Sequence, residues 1–234
     1  MRWRRARVGD GPDVSDLCTY SGEFRDSGRE AAFRAERLHE SRRHARLLFA
    51  LAAILNTLFL LSDWRFAGTP HFHVALPARL LVICDAVTCI LLVPAMTHFR
   101  ALERICWAWQ GLTAIGVAFL VSSRSDIAIF VLVMLPLVFY LVVPTSFYGN
   151  VGGGFACSIL MLVGYLAPAP LSPTAPGMIL AMLILHCGMW IAVARTNRLQ
   201  RQQWMAVQAA ESARAALADN GDTLERIFRT VAVP

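Results

Sequence analysis

Lysine is absent from this sequence: all 22 basic residues are arginine. Such a chain has no Schiff-base amine, no lysine nucleophile and no P-loop lysine, which removes several enzyme classes. Charge of either sign is scarce, at 16% of residues against about 25% in ordinary soluble domains. Cysteine is limited to Cys18, Cys84, Cys89, Cys106, Cys157 and Cys187. None falls in an expected outer loop, so no exported disulfide framework exists, and these residues read as small apolar packers. HExxH, paired-Asp and Ser/His arrangements are missing from the apolar stretches. GGDEF, cyclase, kinase and phosphoacceptor motifs are missing throughout, so no catalytic residue is assigned. Gly152-Gly153-Gly154 lacks a lysine and opens an apolar stretch. It is therefore no phosphate loop, but it permits close helix contact.

What the 234 residues do contain is apolar surface: 56% hydrophobic residues and a mean hydropathy of +0.51. This composition indicates an integral membrane protein. Six apolar stretches lie at about 45–62, 74–96, 105–122, 127–144, 151–167 and 177–194. Each approaches the ~20 residues that cross ~30 Å of hydrocarbon. The fourth and fifth are the shortest and closest together. The expected fold is an all-α polytopic membrane bundle of six transmembrane helices, followed by a cytoplasmic signalling helix. Residues 1–16 lack the apolar run of a signal peptide.

Arginine positions set the expected orientation. Eleven lie between Arg2 and Arg46, two (Arg100 and Arg104) in the 97–104 loop, and six between Arg195 and Arg229. The opposite loops hold only Arg65 and Arg124. The positive-inside rule then puts both termini in the cytoplasm. Arginine clusters beside spans bind anionic lipid headgroups. With no basic face on a soluble domain, nucleic-acid binding is not expected.

The chain divides into a leader with a juxtamembrane helix (1–44), the membrane bundle (45–194), a signalling helix (195–218) and a last segment (219–234). Ser27 and Glu30 form a capping box, and the helix they open is expected to run unbroken into the first span. Phe24, Phe33 and Leu38 would then sit in the interface, with Arg34, Arg37, Arg42 and Arg43 toward phosphates. A solvated lead-in helix is the other reading. In the signalling helix a weak heptad places Leu199, Ala206 and Ala213 at a. Asp219-Asn220-Gly221 is expected to break it, and Asp222 with Glu225 to cap a new amphipathic helix (Leu224, Ile227, Phe228, Val231). That helix looks like the first element of a further domain, so truncation is expected.

Few residues in the spans carry chemistry. Asp85 lies near the expected midplane, where an ionisable group costs at least ~2.5–3.5 kcal/mol and takes a partner or a cavity. His186 is expected at similar depth. The pair would sense protons or hold a ligand; otherwise Asp85 is structural, bonded to Thr88 or a carbonyl. Arg79 either pairs with Asp63 across spans one and two or snorkels outward. His71-Phe72-His73 supplies two ligands from an extended loop, too few for a metal site. No metal or other cofactor is expected. Trp64, Trp107, Trp109 and Trp190 are placed in aromatic belts, and Pro94 and Pro136 at kinks.

Together, Phe24-Arg25-Asp26, Glu30 and Phe33-Arg34, the Arg-rich entry to span one, Asp63 at its end and the helix after span six resemble a known family. They are similar to the six-span membrane-associated sensor regions that precede bacterial GGDEF diguanylate cyclases and adenylate cyclases. The tail GDTLERIFRTVAVP resembles the start of PAS domains. The resemblance implies a homodimeric sensory input module in the bacterial inner membrane, with a cyclic di-GMP-making output. A sensor histidine kinase is a second output, and a small transporter or channel the competing class. The signal remains unspecified.

Overall fold

The structure, a computed structural model, describes residues 16–123, 128–168, 173 and 175–231. Seven α-helices follow in order: α1 Ser27–Glu36, α2 Leu38–Asp63, α3 Pro70–Leu92, α4 Phe99–Ser122, α5 Ala128–Leu141, α6 Phe147–Leu166 and α7 Ala175–Val231. The described residues form two compact units. One contains residues 34–194, the other the leader to Phe33 together with the chain from Arg195.

In the first unit five helices (α2, α3, α4, α6 and the start of α7) are long and apolar enough to cross a membrane. The expected fourth span is shorter: α5 has 14 residues, about 21 Å at ~1.5 Å per residue. It stops before Pro144, as helices do when the residue preceding proline is pushed out of the α region. Six crossings are therefore five candidate spans plus one short apolar helix. Burial follows the membrane pattern. On α2, Leu47, Leu51, Ile54, Leu58 and Leu61 are exposed, while Ala45, Leu48 and Phe49 face the core. Exposed apolar faces on long helices are what a lipid solvent accepts and water does not.

Local sequence sets the helix ends. Thr69 caps α3 by accepting from the Phe72 N–H, with Pro70 in the first turn. Gly68, at φ +85°, supplies the left-handed turn before it. Ser146 caps α6 through the Gly149 N–H. Pro94 ends α3 in a 3-10 turn, and Pro136 is buried within α5. The glycines of α6 permit close packing, as expected. A Cβ on Gly154 would strike the Tyr140 ring, one on Gly153 would come 2.7 Å from Gln110, and one on Gly164 2.5 Å from the Ala118 carbonyl. Cys89, Cys106 and Cys157 are buried packers, and all six thiols are free.

Trp109 is not a belt residue. It is 2% exposed and lies between Phe49 and Phe139, with ring centroids 5.1 and 5.6 Å away. Its ring ties α2, α4 and α5 together. Trp64, Trp107 and Trp190 are exposed.

In the second unit the leader folds onto the part of α7 that follows Arg195. A turn from Cys18 to Glu23, with Gly22 at φ 69°, lets Leu17 and Phe24 pair as a β-bridge. Asp26, not Ser27, caps α1: its Oδ1 accepts from the Gly28 N–H at 2.9 Å. Glu30 reaches back past Ser27 to the Phe24 N–H, at 3.1 Å, so the expected capping box is not made. Phe24 and Phe33 do not sit in a lipid interface. They are buried with Leu17 and Met205, and both rings meet Trp204 edge-on.

Two further expectations about helix continuity are corrected. The chain between Ser27 and Asp63 is interrupted at Arg37 (φ −86°, ψ 0°). Each side buries its own stripe, Glu30 and Phe33 before the break and Ala45, Leu48 and Phe49 after it. At the other end, Asp219-Asn220-Gly221 does not break α7, which runs on to Val231. One Gly costs only ~1 kcal/mol in a helix, too little to stop a long one. No new helix starts at Asp222. The side chains of Asp222, Glu225 and residues 227–231, and everything in residues 1–15, lie outside the described set.

Candidate functional site

The membrane unit contains a cavity of about 870 Å³ walled by α2, α4 and α5, with Arg65, Phe66 and Thr69 from the connection to α3 and His71 and Arg79 from α3 itself. Pockets for small molecules span ~300–1,000 Å³. At one end stand Asp63, Arg79 and Asn56. The Arg79 Nε donates to Asp63 Oδ2 at 3.2 Å, and Nη1 donates to Asn56 Oδ1 at 3.1 Å. Asn56 is itself oriented by donating from Nδ2 to the Ala52 carbonyl at 2.9 Å. The guanidinium also lies 4.8 Å over the Phe59 ring. Every strong demand of the arginine is thus met within the protein: one carboxylate, one amide and one ring face. The ion pair joins α2 to α3, and Arg65, over the Phe66 ring, lines the same cavity. Because α3 begins at Pro70, Arg79 lies nine residues into the helix, deeper than the apolar pattern implied.

At the other end stand Trp109 and Thr113, one helical turn apart on α4. Both line the cavity and are nearly fully buried, yet Trp109 Nε1 and Thr113 Oγ1 have no hydrogen-bond partner among the described residues. The level of Trp109 is given by Phe49. Phe49 lies 14 residues before Asp63 on α2, about 21 Å along the axis.

Asp85 and His186 are not brought together. Asp85 Oδ1 accepts from Cys89 Sγ at 3.7 Å, one turn along α3, and its buried Oδ2 lacks a partner among the described residues. Thr88 bonds to the Cys84 carbonyl rather than to Asp85. His186 Nδ1 lies 2.7 Å from the Tyr140 hydroxyl, with the Phe155 ring 5.0 Å away. Equal expected depth did not make these residues neighbours, because helix order and rotation decide which faces meet. His71 and His73 fall in the first turns of α3. On a helix, i and i+2 face apart, so the extended chelating geometry is not formed. His71 lines the cavity.

In the leader unit the polar centre is Arg201 of α7. Its Nε and Nη2 hold the two carboxylate oxygens of Glu30 at 2.9 and 2.5 Å, with Glu23 3.7 Å away. The guanidinium lies 4.7 Å over Phe33. Asn197 and Arg198 donate to the carbonyls of Ser21 and Thr19. Leu199, Ala206 and Ala213, the expected relay positions, are exposed on α7. Of the arginines expected on phosphates, Arg34 lies over the Phe99 ring and Arg42 donates to the Met96 carbonyl.

Sequence reasoning missed Asn56, Trp109, Thr113, Tyr140, Arg201 and Trp204. The one available signal was Trp204, a large aromatic one turn after Arg201 in an otherwise polar, Arg- and Gln-rich stretch. Compared with known protein families, with curated proteins and with solved structures, the chain matches none.

Proposed function

We propose that this chain is a membrane-embedded sensory input module that relays a signal through α7 to a cytoplasmic output domain, a diguanylate cyclase making cyclic di-GMP. The observation that carries the reading is α7 itself. It is a single 57-residue helix that begins in the apolar bundle and continues through a polar, Arg- and Gln-rich stretch, roughly 86 Å in all. Residues 206–221 on it are all exposed. An isolated helical stretch gains little from propensity alone, so a second copy packing along Leu199, Ala206 and Ala213 fits this surface. The leader adds a grip at the base of that stretch, through Glu30, Phe24 and Phe33. These are the same leader residues that carry the resemblance to membrane-associated sensor regions. In this reading both termini are cytoplasmic, the membrane is the bacterial inner membrane, and α5 with its neighbours completes an even number of crossings. The basic flanks meet anionic headgroups, and the tail leads into a PAS-like domain.

The test is a fusion of the whole chain to a GGDEF reporter domain, with one to seven alanines inserted after Ala209. Relay through a paired helix predicts cyclase output that oscillates with a period near 3.5 residues. Output indifferent to insertion length sinks the relay. A transporter reading draws on the cavity and is separated by solute flux in proteoliposomes, which the sensor reading expects to be nil.

A further inference from the structure

The cavity is amphipathic along its length. Its mouth gathers Asp63, Arg65, Phe66, His71 and Arg79. Below the mouth the walls are mainly apolar, with Leu51 and Leu55 from α2, Leu120 from α4 and Met134 from α5. Asp63 and Arg79 are paired with each other. Arg65 differs from them. It is exposed, its guanidinium lies 4.7 Å over the Phe66 ring, and among the described residues it meets no carboxylate. The same ring meets His71 edge-on, with centroids 5.7 Å apart. Stacking thus holds the cation among residues that line the mouth. Topology does not call for a cation here, because Arg65 stands in an expected outer loop, where the positive-inside rule leaves arginine scarce.

Charge and size narrow the occupant. A small anion would leave the apolar slot unfilled, and a plain hydrocarbon would leave Arg65 unanswered. From Ser62 back to Leu48 the slot follows α2 for 14 residues, about 21 Å at ~1.5 Å per residue. One leaflet of a bilayer spans only about 15 Å of hydrocarbon, so a complete acyl chain fits lengthwise. Volume then separates one chain from two. Counting ~30 Å³ per heavy atom, a water's share of its liquid, palmitate takes about 540 Å³ and a diacyl phospholipid about 1,500 Å³. The cavity measures about 870 Å³, enough for the first and too little for the second.

We propose that this cavity binds a long-chain fatty carboxylate. Its two oxygens accept hydrogen bonds from the Arg65 guanidinium, whose planar fork matches a carboxylate. Its single chain runs along the slot toward Leu48 and Val138. The headgroup stays level with the helix ends, and the chain exchanges lipid for the apolar wall. The assignment does not depend on the sensory reading, because it concerns binding alone.

The test uses the full chain in phosphatidylcholine nanodiscs, in alkaline buffer that keeps the acid ionised. The probe is palmitate with a photoreactive diazirine near its methyl end. Labelling should saturate and map to residues at the Leu48 end of the slot. Unlabelled palmitate should compete at least tenfold better than hexadecanol, which has the chain without the charge, or acetate, which has the charge without the chain. Phosphatidylglycerol, an anionic lipid with two chains, should compete no better than hexadecanol. Arg65→Gln should raise the half-saturating probe concentration about tenfold, the size of one lost charge-assisted hydrogen bond, and Arg65→Lys should raise it less. Leu55→Trp, which narrows the slot and leaves the mouth intact, should lower labelling as well. Equal competition by hexadecanol would make the cavity a groove for any chain. Equal competition by phosphatidylglycerol would assign it to the membrane's own anionic lipid. Absence of saturable labelling would leave it as a contact for a second copy. Each of these results, or unchanged binding in Arg65→Gln, would overturn the proposal.

Discussion

Arg201 of α7 clasps the Glu30 carboxylate with both arms of its guanidinium, and both side chains are almost completely buried. The two residues are 171 positions apart in sequence. The pair fastens the leader to α7, and the Phe24–Phe33–Trp204 cluster shields it from water. Planar, two-point recognition of a carboxylate is a task for arginine rather than lysine.

Arg201→Ala should release the leader. Removing one partner of a buried pair leaves the other charge uncompensated, at a cost of about 3–5 kcal/mol. Protease cleavage between residues 16 and 33 should accelerate at least a hundredfold. Arg201→Lys should fall between the two, because it keeps the charge and loses the two-point geometry. Unchanged cleavage in Arg201→Ala would show that the aromatic cluster alone holds the leader.

Asp63 and Arg79 should couple in a double-mutant cycle. Both side chains are largely but not fully buried, at 14% and 17% exposure, so the coupling expected for Asp63→Asn with Arg79→Gln is about 1–2 kcal/mol. Thermal unfolding in one fixed detergent measures it. A coupling near zero would mean that Asn56 and Phe59 hold Arg79 without the carboxylate.

Three glycines of α6 should respond differently to alanine. At Gly164 the new methyl meets the Ala118 backbone, which cannot step aside. A loss of about 1–3 kcal/mol is expected there. Gly154→Ala meets the buried Tyr140 ring and should cost a similar amount, with displacement of the Tyr140–His186 hydrogen bond. Gly152→Ala meets nothing within 4 Å and should be neutral or gain up to ~1 kcal/mol from helix propensity. The same ranking in midpoint temperatures is the check.

Cys18 should be the first thiol modified by a water-soluble maleimide. It is the one cysteine outside the apolar helices, and its pKa is lowered, first by the Ser21 hydroxyl and then by the Ser21 and Tyr20 backbone N–H groups. The thiolate is the reacting form, so the rate should reach half its maximum at lower pH than for a free cysteine. Ser21→Ala should move that midpoint upward. The linkage has a definite sign: the lowered value favours the folded leader above the free thiol's pKa. That contribution is lost as pH falls through the lowered value.

Composition and hydropathy alone determined that the chain is helical and crosses a membrane, since any run of ~20 apolar residues must satisfy its backbone internally in lipid. They also located α2, α3, α4, α6 and the start of α7, the close contacts at Gly153 and Gly154, and the Asp63–Arg79 pair as one of two readings of Arg79, its partners being close together across one short loop. Tertiary structure decided the rest. Apolar length does not report where α5 stops, and depth does not report rotation, so Asp85 and His186 ended with Cys89 and Tyr140 instead of each other. Local helix signals cannot reveal that Glu30 is needed by a residue 171 positions away, nor that Trp109 turns inward rather than to an interface. A polar group in an apolar helix shows from sequence only that a partner is required. Which partner it meets depends on which helices become neighbours when the bundle packs.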